Sequence, residues 1–214
     1  MIASSSLPGA SSRQPPGTAV WLALSRADRA VYRALAGFST PALDLPLRRV
    51  SDFANHSKPW FIVAGILAAT GGSRDRIAAL VGVGSIGLTS FVVNQPMKLA
   101  HRRERPDRPL FGVPESRWVM MPTSTSFPSG HSASAAAFAA AVGHLLPGAR
   151  WPLRLAATTV AFSRVYTGVH YPGDVIVGAT VGAVLGAATA RVATRVARSC
   201  GERSARAAAP VEHG

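Results

Sequence analysis

Three polar clusters interrupt an otherwise apolar chain, and together they hold what phosphoryl transfer requires. The first is Lys98-Leu-Ala-His-Arg-Arg-Glu-Arg105-Pro106. The second is Pro128-Ser129-Gly130-His131. The third is Ser163-Arg164-Val-Tyr-Thr-Gly-Val-His170-Tyr-Pro-Gly-Asp174. Lys98, Arg105 and Arg164 can gather three positive charges around one anion, and arginine adds a planar fork of donors that matches phosphate oxygens. Ser129 and Gly130 stand where an apolar helix begins, so first-turn N–H groups and the helix dipole favour an anion there. His170 can attack phosphorus as a neutral imidazole. Asp174, four residues on, can fix the tautomer through the other ring nitrogen. His131 is left to protonate the leaving oxygen and later to activate water. Cations and polarised N–H groups would then stabilise the transferring charge, the role a metal plays elsewhere.

Each residue also has a plainer reading. A lone histidine is most often a satisfied structural residue, but two inside complete clusters, beside a carboxylate, favour chemistry. Lys98 and Arg164 could snorkel to a membrane surface. Arg102 and Arg103 read as phosphate contacts or as solvated, headgroup-facing charges. His101 reads as a substrate contact or a loop residue. His56 and Lys58 could line an entrance, with a structural role favoured. His144 reads as a packing or helix–helix hydrogen-bonding residue. Cys200 is the one cysteine, which excludes an internal disulfide and a structural zinc site.

Composition says what kind of element must position these groups. Hydrophobic residues make up 48% and charged residues 15% of 214, with a mean hydropathy of +0.21. Soluble domains carry about 25% charge. The formal net charge of +13 calls for an anionic partner. Nucleic acid fits poorly, because long apolar runs separate the basic residues and no aromatics interleave with them. An anionic lipid fits both the charge and the apolarity.

The apolar runs are Trp60–Thr70, Ile77–Val93, Ala133–Leu146, Leu155–Val169 and Val175–Ala190. They pair into helical hairpins through the turns Gly71–Arg76 and Pro147–Arg154. Thr18–Gly37 is apolar but broken by Arg26, Asp28, Arg29 and Arg33, which predicts an amphipathic helix at the interface rather than a span. Pro41, Pro46 and Pro59 predict short pieces between them. The expected fold is all-α: an integral membrane helical bundle of five to six spans with an N-terminal interfacial helix. A soluble bundle with a very apolar core is the alternative. Residues 1–17 read as a disordered arm, 18–194 as the membrane domain and 195–214 as a basic disordered tail. Alternating the spans places all three clusters on one side, and the Lys/Arg distribution leans toward a cytoplasmic tail and an extracytoplasmic site.

The spacing Lys-x6-Arg-Pro, then Pro-Ser-Gly-His, then Ser-Arg-x5-His-x3-Asp resembles the signature of the type 2 phosphatidic acid phosphatase superfamily. Lys98, Arg105, Pro106, Pro128, Ser129, Gly130, His131, Ser163, Arg164, His170 and Asp174 fill every signature position. The stretches His56-Ser57-Lys58, Val92-Val93-Asn94-Gln95, Thr125-Ser126-Phe127-Pro128 and Tyr166 to Pro172 resemble actinobacterial members. The resemblance implies a metal-independent phosphatase with no cofactor. His170 would be the nucleophile, Asp174 its partner and His131 the acid, with Lys98, Arg105, Ser129, Gly130 and Arg164 as the phosphate pocket. It implies a phosphohistidine intermediate and a lipid phosphate or diphosphate substrate in the plasma membrane, with a polyprenyl carrier preferred over phosphatidylglycerophosphate or phosphatidate. Vanadate-dependent peroxidation suits larger, soluble relatives. A lipid-binding or transport protein without turnover would need the cations but not His131, His170 and Asp174.

Overall fold

A computed structural model describes residues 16–207. The arm predicted for residues 1–17 lies outside the described residues up to residue 15. Among the described residues the structure is helical throughout, without strands. The main helices are α1 (Pro16–Gly37), α2 (Pro41–Phe53), α3 (Lys58–Thr70), α4 (Ser73–Val92), α5 (Gly130–Leu145), α6 (Arg150–Tyr166) and α7 (Pro172–Ala207). All five apolar runs are helices. The links α3–α4 and α5–α6 are tight turns, as the hairpin reading requires.

Helix α5 is the axis of the bundle, packed against α4, α6 and α7. Its sequence, GHSASAAAFAAAVGHL, is small nearly all round, so neighbours can approach on every side. The closest approach is to α7. Gly178, Gly182 and Gly186, spaced by four, lie against the carbonyl oxygens of Ser129, Ala133 and Ala137, also spaced by four. A Cβ on any of these glycines would collide with that oxygen. Gly82 of α4 does the same job against Phe138 and Val142, where a Cβ would sit 2.7 Å from each side chain. Trp60 and Phe138 stack at 5.6 Å within this core.

Large apolar side chains lie outside. Leu80 is 74% exposed, Phe91 66%, Leu155 70% and Ile176 65%. A bundle with small residues within and large apolar residues without is arranged for lipid; a soluble bundle would bury the latter. Two helices among the described residues are long and apolar enough to cross a membrane: Ser73–Ala100, which continues α4, and Pro172–Arg203 within α7. At 13, 16 and 17 residues, α3, α5 and α6 are shorter than the roughly 20 residues of an ideal span.

Two expectations are corrected. Helix α2 runs unbroken through Pro46, because Asp44, Leu47 and Ser51 sit at helical spacing and bury one face against the bundle. Helix α7 continues to Ala207, into the region read as a disordered tail from 195. Alanine and arginine are strong helix formers, and no proline intervenes before Pro210.

The long segment 101–129 is held down at its middle. The Arg117 Nε donates to Asp44 Oδ1 at 2.9 Å, and the Tyr166 hydroxyl donates to the same oxygen at 2.5 Å. Arg117 also donates to the carbonyls of Leu35 and Phe38 and to the Thr40 hydroxyl. Every nitrogen of this buried guanidinium has an acceptor, and it fastens α1, α2 and the segment together.

Candidate active site

Past Val92, helix α4 widens into a π-helical turn over Val93–Met97, which contains Pro96. Such a turn inserts an extra residue and re-aims the side chains beyond it, and it is frequent at functional sites. Here it delivers Asn94 and Lys98 to a cavity of about 180 Å³. The same cavity is lined by Arg105, Ser124, Gly130, His131 and His170, so all three polar clusters meet there. The volume is well below that of a drug-sized pocket and suits a compact headgroup. A larger cavity of about 660 Å³, lined by Phe38, Asp44, Arg48 and Arg117 among others, contains none of the predicted site residues.

His170 occupies the turn between α6 and α7 and is 2% exposed. Its Nε2 lies 3.2 Å from Arg105 Nη1. Its Nδ1 lies 3.5 Å from Asp174 Oδ2 and 3.4 Å from Ser126 Oγ. Ser126 donates to that same carboxylate oxygen at 2.5 Å. The polar edge at Nδ1 therefore favours the tautomer whose proton sits there, and the Nε2 lone pair faces the cations. Burial, aided by the fields of Arg105 and Arg164, pushes the imidazole well down, to about 4, against the opposing pull of Asp174. The ring is thus neutral at physiological pH.

Arg105 is held by backbone carbonyls. Its Nε donates to Ser124 O at 2.8 Å and its Nη1 to Val169 O at 2.8 Å. Burial lowers its pKa to about 10, with Arg108 lowering it further and Asp174 opposing. It remains a cation at neutral pH. Lys98 Nζ donates to Ser124 Oγ at 3.1 Å. Arg164 is 1% exposed; its Nη1 donates to the Ser51 carbonyl at 3.1 Å and to the Ser51 hydroxyl at 2.7 Å, while its buried Nε has no partner among the described residues. A buried guanidinium with an unmet donor and no carboxylate is suited to an anion that comes and goes.

The model of the PAP2 superfamily matches residues 78–198, more than half of the chain. The chain belongs to the PAP2 superfamily. It is a phosphatase. Its curated relatives include the decaprenylphosphoryl-5-phosphoribose phosphatase of Mycobacterium tuberculosis H37Rv, 34% identical over 161 residues, covering 73% of this chain and 86% of that protein. Its counterpart from Mycolicibacterium smegmatis is 35% identical over 149 residues, covering 70% and 77%. Among solved structures, the fold matches the transmembrane PAP2-type phosphatidylglycerolphosphate phosphatase of Bacillus subtilis with a TM-score of 0.59 at 23% identity, covering 83% of this chain and 87% of that one.

In this PAP2 phosphatase Lys98, Arg105, Gly130, His131 and His170 line one cavity, whereas Arg164, Asp174 and Ser129 lie outside its lining. Ser129 does not offer a free N–H, because that group donates to the Asp174 carbonyl at 2.9 Å. Its buried hydroxyl instead caps α5, accepting from the Ser132 N–H at 3.4 Å and meeting the Ser132 hydroxyl at 2.9 Å. Ala133 N–H bonds to Ser129 O, so the first-turn donors left over are those of Gly130 and His131. Ser129 thus acts on the helix end rather than on the cavity.

Sequence reasoning passed over or misread four residues. Ser126 contacts both His170 and Asp174. Asn55 Oδ1 lies 3.0 Å from His131 Nε2. Ser51 holds Arg164, and Arg103 pairs with Asp174 at 2.7 Å, being neither a phosphate contact nor a solvated charge. Ser126 lies in the Thr125–Pro128 stretch already singled out, which was the available signal. His56 and Ser57 line the cavity in left-handed backbone conformations, φ 57° and 58°, which non-glycine residues adopt at a cost. His101 packs beside Phe127. His144 is exposed near the end of α5, not the packing or helix–helix hydrogen-bonding residue expected of it.

Proposed function

We propose that this PAP2 phosphatase hydrolyses a lipid phosphate or diphosphate through a phosphohistidine at His170, with a polyprenyl carrier as the lipid. One observation carries the reading: a single headgroup-sized cavity brings His170 and His131 together with the cations Lys98 and Arg105 and the helix N-terminus at Gly130, with His56 as a third histidine at its wall. Phosphate oxygens would bridge Lys98, Arg105 and the Gly130 and His131 N–H groups, with Arg164 behind them. His170 Nε2 attacks phosphorus as the bond to the leaving oxygen breaks, and His131 gives that oxygen a proton. His131 then takes a proton from water. The water oxygen bonds to phosphorus, the P–N bond breaks, and inorganic phosphate leaves. Asp174 holds the Nδ1 proton of His170 throughout and stabilises the charge that the ring gains. No step requires a metal.

The polyprenyl preference is supported by the mycobacterial relatives, both named for a decaprenyl-linked phosphoribose. The apolar exterior supports a multi-pass placement in the plasma membrane, with five helices spanning, α1 at the interface and the site at the extracytoplasmic end. Three helices short of an ideal span are accommodated by tilting neighbours and local thinning.

Phosphate release from the detergent-purified protein in EDTA tests the reading. The panel is polyprenyl diphosphate, polyprenyl-phosphoribose 5-phosphate, phosphatidylglycerophosphate and phosphatidate, each with wild type and His170→Ala. Release that persists in EDTA and is lost in the variant is expected, fastest for a polyprenyl lipid. Binding of lipid without release, in folded wild type, would replace the enzyme with a carrier.

A further inference from the structure

Arg103 sits in the middle of the first cluster but does not line the cavity. Its guanidinium bridges two carboxylates from opposite ends of the chain. Nη1 donates to Asp174 Oδ1 at 2.7 Å, and Nη2 pairs with Asp28 Oδ2 at 2.6 Å. Its Cζ lies 4.2 Å from the centroid of the Tyr171 ring. Asp28, on α1, also accepts the Gly173 N–H through Oδ1 at 2.7 Å. One turn further along α1, the Tyr32 hydroxyl donates to the Gly168 carbonyl at 3.2 Å. Gly168 is in the left-handed region, φ 73°, and a Cβ there would meet the Tyr32 oxygen at 2.8 Å. Helix α1 therefore grips the turn that carries His170 on both sides, at Gly168 and at Gly173.

The two oxygens of Asp174 are divided. Oδ1 belongs to Arg103, while Oδ2 accepts from Ser126 Oγ and from the Tyr171 N–H at 3.0 Å and faces His170 Nδ1. Asp174 is fully buried, so no water replaces a lost partner. Without Arg103, Oδ1 is left buried and without its cation, and only Ser126 and the Tyr171 N–H hold the carboxylate against the imidazole.

We propose that Asp28 and Arg103 are positioning residues of this phosphatase: Asp28 orients Arg103, and Arg103 orients the carboxylate that holds His170, which makes α1 part of the catalytic apparatus. The inference rests on His170 as nucleophile. The charged and titratable groups that face this pair are Arg103 and Arg105 from the segment 101–129, Arg164 from α6, His131 from α5, Tyr171 from the turn and Asp28 from α1. Removing the Arg103 cation leaves the imidazolium less opposed, so the pH at which His170 loses activity rises.

The test uses the full chain in detergent with the panel lipid that the wild type hydrolyses fastest. Arg103→Gln is expected to lower kcat about 10–100-fold, the scale for partners that orient a reactive group, with KM unchanged and the acid limb of kcat/KM moved to higher pH. Arg103→Lys keeps the charge but not the fork, so its limb stays in place with an intermediate kcat. Asp28→Asn shows a smaller loss in the same direction, and the double variant is no worse than Arg103→Gln alone. Should Arg103→Gln fail to fold, Asp28→Asn and Arg103→Lys decide: wild-type kcat and limb in both would overturn the proposal. A fall in Tm with unchanged kinetics, or a raised KM with unchanged kcat, would also overturn it. A His170→Ala that still releases phosphate overturns the histidine reading and this inference together. Full activity in Arg103→Gln beside an inactive His170→Ala overturns this inference alone.

Discussion

Arg117 and Arg164 are each 1% exposed, yet they are built for opposite ends. Arg117 is closed: its Nε meets Asp44, and its remaining nitrogens meet the Leu35 and Phe38 carbonyls and the Thr40 hydroxyl. Arg164 is open: Ser51 takes Nη1, and among the described residues no carboxylate pairs with it and Nε has no partner. A saturated buried arginine fastens a fold. An unsaturated one keeps desolvated donors ready for an incoming anion, and their interactions are strong because water is excluded. On the proposed reading of Arg164, the donors left over, not burial or charge, separate an anchor from a binding group.

The sharpest way to break that contrast is Arg117→Ala. It leaves the buried Asp44 carboxylate without its cation, held only by the Tyr166 and Ser116 hydroxyls, and destabilisation toward the lower end of the roughly 3–5 kcal/mol for breaking a buried ion pair is expected, read by unfolding in detergent. The enzyme that stays folded should keep its kcat. Arg164→Ala should do the reverse. It is expected to lower kcat/KM by about 10²–10³, the cost of removing one transition-state donor, while thermal stability holds or rises. A large loss of stability in Arg164→Ala with normal kinetics would erase the distinction.

Helix packing comes next in size. Gly182→Leu drives a side chain into the Ala133 carbonyl and should cost at least the roughly 1–3 kcal/mol of an overpacked core, read from Tm. Activity should fall with it, because α5 and α7 carry His131 and Asp174. The smallest effect is on pH. Burial holds the His170 imidazole down, to about 4, and the proposed attack needs the neutral ring, so the acid limb of kcat/KM assigned to it should lie near that value rather than in the ordinary imidazole range. A limb near the ordinary value would show a wetter site than the burial of His170 implies.

Much of this was legible in the sequence. The five apolar runs and their hairpin turns appear as helices α3 to α7, since small-residue runs and loop breakers are local signals. The meeting of Lys98, Arg105, His131 and His170 in one cavity was legible because the clusters border successive runs. What was not legible depends on contacts far apart in sequence. Ser51 reaches Arg164 across 113 positions and Asp28 reaches Gly173 across 145, and no spacing rule encodes either. Ser129 changed part because its N–H points at the Asp174 carbonyl, a contact that exists only once α5 and α7 are docked. Pro46 misled because one lost backbone bond weighs less than the buried face of α2.

The glycine stripe of α7 has a mechanical consequence. Bilayers differ in thickness, and helices adapt mainly by tilting. Two helices in backbone contact at Gly178, Gly182 and Gly186 can tilt only as one rigid body. The spacing between His131 and His170 is then insulated from acyl-chain length, and turnover in reconstituted bilayers should change little as the lipid chains are lengthened.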